Sequence, residues 1–421
     1  MKKLLLLLLP LLFPCLLFSQ TEPVNYKTVS TNFQKFYNES NADSLHSCLS
    51  TDAAKLISLD QTAALIKQLQ AGYGKLKTLE FINLTSPVAS YKANFEKSVL
   101  EMSLILNADN KINGFFFKPY QEKKVVEVDP ELTESPITLT VPDASLSGSI
   151  VTPKNSAGKI PVILIIAGSG STDRDGNGFG LTANSYLLLA NDLGKSGIAT
   201  LRYDKRYSGK TTTSKTEAEL RFGDYVDDAV ALIKLLKSDS RFSKVVVLGH
   251  SEGSLVGMLA LEREKADGYI SLAGPGDAIN KTLAIQLKNQ SPEEYKITLG
   301  RLDSLSKGLM VKAAATDLLF RPSVQPYMIS WMKYNPQTEI KKLKMPVLIV
   351  QGTNDVQVSV ADAKNLKLAK PDATLVLIDG MNHVLKPAPY DREKNLATYS
   401  QPLLPLDSNL QNAVVDFVKA Q

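Results

Sequence analysis

The chain of 421 residues is 44% hydrophobic and 22% charged, a globular composition that excludes a collagen-like or disordered polymer. Its formal net charge of +5 is too small and too scattered for a nucleic-acid or anionic-lipid surface, and the length points to two domains.

Lys2 and Lys3, a leucine-rich run to Phe18, and then Ser19 follow the charged, apolar, small-residue order of a secretory leader. Pro10 and Pro14 break the run, which is also shorter than a membrane-spanning helix requires. The expectation is a signal peptide at residues 1–19 and an exported protein, periplasmic or secreted, with no membrane integration after cleavage. Cleavage would remove Cys15 and leave Cys48 alone, so no internal disulfide is available.

Residues 20–123 read as a small α+β module. "NFQKFYNESNADSLHSCLS" and "DQTAALIKQLQAGYG" carry apolar residues at helical spacing, and "KSVLEMSLILNADNKINGFFFKPY" reads as a hairpin turning at residues 108–111. The module carries no triad, metal cluster or glycine-rich loop, which points to packing or to pairing with a second copy. His46 is expected on an exposed helix surface. Residues 124–136 are polar, punctuated by Pro130 and Pro136, and read as a linker.

From residue 137 two antiparallel strands are expected, followed by short apolar runs alternating with helices. Apolar runs without polar alternation suit strands buried on both faces, and strand–helix alternation implies a parallel sheet covered on both sides. Residues 277 to about 345 interrupt that alternation with a helical insertion expected to form a cap.

"KVVVLGHSEGS" carries the strongest chemical signal. A buried strand ending in Gly-His-Ser251-Glu-Gly and running straight into a helix is the context of a nucleophile elbow. A serine hydroxyl needs a base. Of the three histidines, His46 lies in the other module and His250 is expected to pack away from the hydroxyl, which leaves His383. Asp355, in the loop after the preceding strand, is the expected carboxylate partner, ahead of Asp379 and Asp277.

"GSGSTDRDGNG", residues 168–178, has the opening of a calcium loop in Asp173, Asp175 and Asn177. Position twelve is Asn184 rather than glutamate, and the loop follows a strand, so the calcium pattern fails. The position instead suits the loop that supplies an oxyanion donor, with the amides of Ser169 and Glu252 as the expected pair. Asp173, Arg174 and Asp175 are then expected to pair within the loop. No cofactor or metal is indicated, because the large domain has two histidines and no cysteine. In the insertion, Tyr327, Met328 and Trp331 are candidates for lining a substrate pocket, with ordinary core packing as the competing reading.

The ordered motifs "AGSGSTDRDGNG", "LRYDKRYSGKT", "GHSEGS", "GTNDVQV" and "GMNH" resemble the α/β-hydrolase superfamily, in its bacterial carboxylesterase-like branch with a helical cap. The leading module resembles the small cone-shaped domain similar to nuclear transport factor. One departure is Ala167-Gly168 where many relatives have His-Gly. The resemblance implies a serine hydrolase cleaving a small-molecule ester, with short acyl groups expected. A peptidase or thioesterase would use the same triad, and a binding protein on a hydrolase scaffold would not use it.

Overall fold

The computed structural model describes residues 22–85, 87–120, 126–178 and 181–421, so the leader expected at residues 1–19 lies outside it. The chain divides into two compact units after Lys123.

The first unit has helices α1 (Val24–Asn38), α2 (Ala42–Ser47), α3 (Thr51–Leu56) and α4 (Leu59–Tyr73), then strands β1 (Leu76–Thr85), β2 (Val88–Phe95), β3 (Val99–Leu106) and β4 (Ile112–Pro119). The strands form an antiparallel sheet in sequence order. Alternation in β2 buries Ala89, Tyr91, Ala93 and Phe95, so one sheet face meets Phe33 and Tyr37 of α1 while the other stays polar. The β3–β4 turn is set by the Asn107 carboxamide, which accepts from the amides of Asp109 and Lys111, with Asn110 at φ 58°. His46 is half-buried rather than exposed, because α2 folds back so that its Nε2 lies 3.0 Å from the Ile57 carbonyl.

The second unit contains β5 (Leu132–Val141), β6 (Ala144–Pro153), β7 (Ile160–Ile166), α5 (Ser185–Lys195), β8 (Ala199–Tyr203), the two-residue β9 (Thr212–Thr213), α6 (Phe222–Ser238), β10 (Phe242–His250), α7 (Glu252–Arg263) and β11 (Gly268–Leu272). Helices α8 (Ile279–Gln286), α9 (Pro292–Ser306), α10 (Gln325–Trp331) and α11 (Pro336–Ile340) form the insertion. The unit closes with β12 (Val347–Gly352), α12 (Val360–Ala369), β13 (Thr374–Ile378), α13 (Arg392–Ala397) and α14 (Ser408–Ala420). β5 starts at Leu132, inside the stretch expected to be linker. Pro136 is tolerated there because β5 is the edge strand, where a missing amide donor breaks no second ladder.

The sheet order is β13-β12-β11-β10-β7-β8-β6-β5, with β9 beside β6. The strands from β7 onward in the main sheet pair in parallel, and β5 and β6 add an antiparallel edge. All five residues of β8 and of β11, and all six of β12, are buried. Two apolar layers cover the sheet. Val247, Val245 and Leu164 face α6 and α7, whereas Val246, Leu248 and Ile163 face α5 and α14. Parallel strands bring their carboxyl ends to one edge, and the loops there hold the candidate site. Among the described residues no helix is long and apolar enough to cross a membrane.

Candidate active site

Ser251 sits between the last residue of β10 and the first of α7 with φ 53° and ψ −121°, a backbone region that strains any residue bearing a Cβ. Its amide is tied to the Leu272 carbonyl at 3.0 Å, and its carbonyl accepts from Ser254 at 3.0 Å. The flanking glycines allow the turn. A Cβ on Gly249 would stand 2.2 Å from the Gly253 carbonyl oxygen, and one on Gly253 would stand 2.3 Å from the Ile166 oxygen. Gly253→Ala is therefore expected to destabilise the unit by about 1–3 kcal/mol through overpacking against backbone, read as a lower urea midpoint.

His383 follows β13, and Asp355 follows β12, so adjacent parallel strands deliver both to the edge that carries Ser251. His383 Nδ1 lies 2.8 Å from Asp355 Oδ2. The other carboxylate oxygen accepts from the amides of Gln357 (2.8 Å) and Val358 (2.9 Å), and Gln351 Nε2 donates to Oδ2 at 3.1 Å. Burial pushes the Asp355 carboxyl upward, but the neighbouring His383 and these donors outweigh it and leave the group below the usual carboxylate range. An ionised Asp355 holds Nδ1 protonated, so Nε2 is the ring nitrogen free to accept a proton. Asp379 and Asp277 are engaged elsewhere, by Thr353 and by Gln337 and Asn365 respectively.

The loop after β7 lies against the elbow: a Cβ on Gly168 would meet the Ser251 Cβ at 3.2 Å. Gly170 has φ 83°, a conformation that favours glycine. Among the described residues the amides of Ser169 and Glu252 have no hydrogen-bond partner, and Glu252 opens α7, whose N-terminus favours negative charge.

The family described as serine aminopeptidase, S33, an α/β-hydrolase family, matches residues 176–386, half of the chain. The chain belongs to that family. It is a serine hydrolase of α/β-hydrolase type, with a sheet, elbow and helical insertion in the order of that fold. A family of proteins of unknown function matches residues 30–115, within the first unit. Esterase EstD of Thermotoga maritima is 28% identical over 333 residues, covering 75% of each chain. Est1E of Butyrivibrio proteoclasticus, solved with ferulic acid bound, is 21% identical with a TM-score of 0.47 over 68% of this chain and 98% of its own. The esterase Pf2001 of Pyrococcus furiosus is 19% identical with a TM-score of 0.47 over 72% of this chain and 96% of its own.

Other polar groups of this hydrolase carry roles that its sequence does not announce. The His250 ring is fully buried and bridges the loop after β13 to helix α5: Nε2 lies 2.9 Å from the His383 carbonyl, and Nδ1 lies 2.8 Å from the Tyr186 hydroxyl. A carbonyl only accepts, so Nε2 donates and Nδ1 takes the tyrosine proton. Tyr186 in turn accepts from the Gly168 amide at 3.1 Å. Burial, and then the nearby His383, push His250 down to about 3. A histidine near 6.5 in the unfolded chain and near 3 in the folded one removes stability as pH falls between those values. Urea unfolding should show that loss between pH 6.5 and 3, and His250→Asn should reduce the slope.

The hydrolase distributes the charges of residues 173–175 differently from the expectation of a self-paired loop. Asp173 does accept from the amides of Asp175 and Asn177, both at 2.9 Å. Arg174 pairs with Asp204 at 2.6 Å, and Asp175 pairs with Arg202, because β8 lies beside β7 and its end faces this loop. Among the described residues no group of three or more His, Cys, Asp or Glu is placed to hold a metal.

Of the insertion residues, Tyr327 and Met328 are buried against α6, and Trp331 stacks on Phe222 with centroids 5.4 Å apart and planes at 10°. Trp331 also lines a narrow cavity of about 10 Å³ with Glu252, Leu255, Pro275 and Ile279, where the insertion meets the helix that opens at the elbow.

Proposed function

We propose that this hydrolase cleaves carboxylic esters of small acyl groups through an acyl-enzyme on Ser251. The carrying observation is the 2.8 Å His383–Asp355 contact on the sheet edge that bears the strained Ser251. Ser251 Oγ attacks the ester carbonyl while His383 Nε2 takes its proton. The tetrahedral oxyanion is held by the amides of Ser169 and Glu252, aided by the N-terminus of α7. Its collapse breaks the bond to the alcohol oxygen, which leaves with the proton from His383. Water, deprotonated by the same nitrogen, attacks the acyl group, and the second collapse frees Ser251 and the acid.

Two further points favour esters of small acids. The similar protein from Thermotoga maritima is an esterase. The cavity beside Glu252, lined by Trp331 and Ile279 among others, is about the size of one water molecule, so there is no room for a long chain beside this helix start. Hydrolysis of nitrophenyl esters from acetate to long acyl chains tests the reading. Turnover is expected to peak at the shortest chains. Turnover of aminoacyl nitroanilides in place of the esters would replace it with the peptidase reading that the family's description favours.

A further inference from the structure

Lys205, in the loop after β8, is 2% exposed, and its ammonium group is spent entirely on the rim of this site. Nζ donates to the Gly168 carbonyl at 2.8 Å and to Glu252 Oε1 at 2.8 Å, and it lies 4.2 Å from the centroid of the Tyr225 ring. The Gly168 carbonyl and the Ser169 N–H belong to one peptide unit and point in opposite directions. Glu252 supplies the second amide of the hole. One buried cation therefore grips the reverse side of the first oxyanion donor and the side chain of the residue that carries the second.

We propose that Lys205 is a positioning residue of the oxyanion hole: it holds the 168–169 peptide with its N–H turned toward the substrate and polarises that peptide. The inference rests on the assignment of the Ser169 and Glu252 amides made above. Gly168 lacks a Cβ and is followed two residues later by Gly170 at φ 83°, so this peptide plane has little intrinsic resistance to rotation. A rotated plane would aim a carbonyl oxygen, not a donor, at the developing oxyanion. The adjoining peptide is fixed by Tyr186, which accepts from the Gly168 amide at 3.1 Å, so Lys205 completes the clamp on the other side of the same residue. A cation on the carbonyl also draws electron density through the amide and strengthens its N–H as a donor. Buried ion pairs often add nothing to stability over an apolar pair, so stability alone gives no reason for a lysine here.

The test uses the full chain. Lys205→Met leaves Glu252 buried and unpaired and can fail to fold, so it is paired with Lys205→Met/Glu252→Gln, which removes both charges. The double variant is expected to melt close to the parent, to lose kcat on nitrophenyl acetate by a factor approaching the ~10²–10³ of a deleted oxyanion donor, and to keep KM within about threefold. Inhibition by a trifluoromethyl ketone, which forms the tetrahedral oxyanion on the serine, should weaken by the same factor as kcat/KM. A double variant within threefold of the parent in kcat would overturn the proposal and leave Lys205 as a neutraliser of Glu252. Lost kcat with unchanged ketone affinity would also overturn it, because the defect would then lie outside the hole. Failure of a fluorophosphonate to label Ser251 in the unaltered protein would bring down the catalytic assignment and the proposal together, and that result is distinct because it involves no variant.

Discussion

Ester hydrolysis by Ser251→Ala is expected to fall by about 10⁴-fold or more relative to the parent, with the melting temperature little changed. The elbow holds position 251 through its backbone: the amide is bonded to Leu272, the carbonyl to Ser254, and the glycines on either side set the space. The side-chain hydroxyl makes no hydrogen bond among the described residues, so alanine would remove the proposed nucleophile without breaking a hydrogen bond of the fold. Steady-state turnover of nitrophenyl acetate, with active-site labelling by a fluorophosphonate as control, measures it. Residual turnover above a few per cent would place the nucleophile elsewhere.

Asp228→Ala is expected to cost about 3–5 kcal/mol of stability, the largest thermodynamic effect foreseen here. Arg206 is buried and binds Asp228 of α6 through two contacts of 2.8 Å, Nε to Oδ2 and Nη2 to Oδ1, while its Nη1 lies 2.7 Å from Asp143 Oδ1. Burial pushes the Asp228 carboxyl up despite the guanidinium opposite it, so the acid is tolerated only through its arginine. Truncating the acid removes both of those contacts and leaves the buried guanidinium with the partly exposed Asp143 alone. Replacing both, as Arg206→Met/Asp228→Leu, should return most of the loss, since Asp143 keeps its second partner Lys215 at 2.8 Å. Urea unfolding followed by near-ultraviolet circular dichroism checks both values. A single-variant cost below 1 kcal/mol would show that Asp143 or water compensates Arg206.

The elements whose signals are local were legible in the sequence. The β10–elbow–α7 unit could be read because Gly249, Gly253 and an unbroken apolar run announce a strand, a strained turn and a helix within about twenty residues. The order of Asp355 and His383 could be read from the strands that precede them, and their side chains lie at 2.8 Å. The supporting polar groups could not be read in this way. Lys205 stands in "YDKRYSGK", where a run of charges looks like a solvated loop, and its partner Glu252 is 47 residues away. Tyr186 and His250 are 64 residues apart, and Tyr186 lies among the buried apolar residues of α5, where nothing in the sequence marks its hydroxyl. Periodicity reports which face of an element is buried. It does not report which buried hydroxyl or ammonium will need a partner, because that depends on which loops the sheet brings together. Pro136 misled for a related reason, since only the strand order places it on an edge.

The insertion leaves the sheet at the end of β11 and returns at the start of β12, and these two strands are already paired, Tyr269 opposite Val347. Because the strands are parallel, the segment leaves at the carboxyl end of β11 and returns at the amino end of β12, and both ends are held by pairing the segment does not make. The cost of closing a longer or shorter segment between fixed ends grows only slowly with its length. A longer, shorter or different segment could therefore replace this roof and change what enters beneath it without altering the strand register that brings the ends of β10, β12 and β13 to one edge. The stack of Trp331 on Phe222 marks the joint that any replacement would have to rebuild.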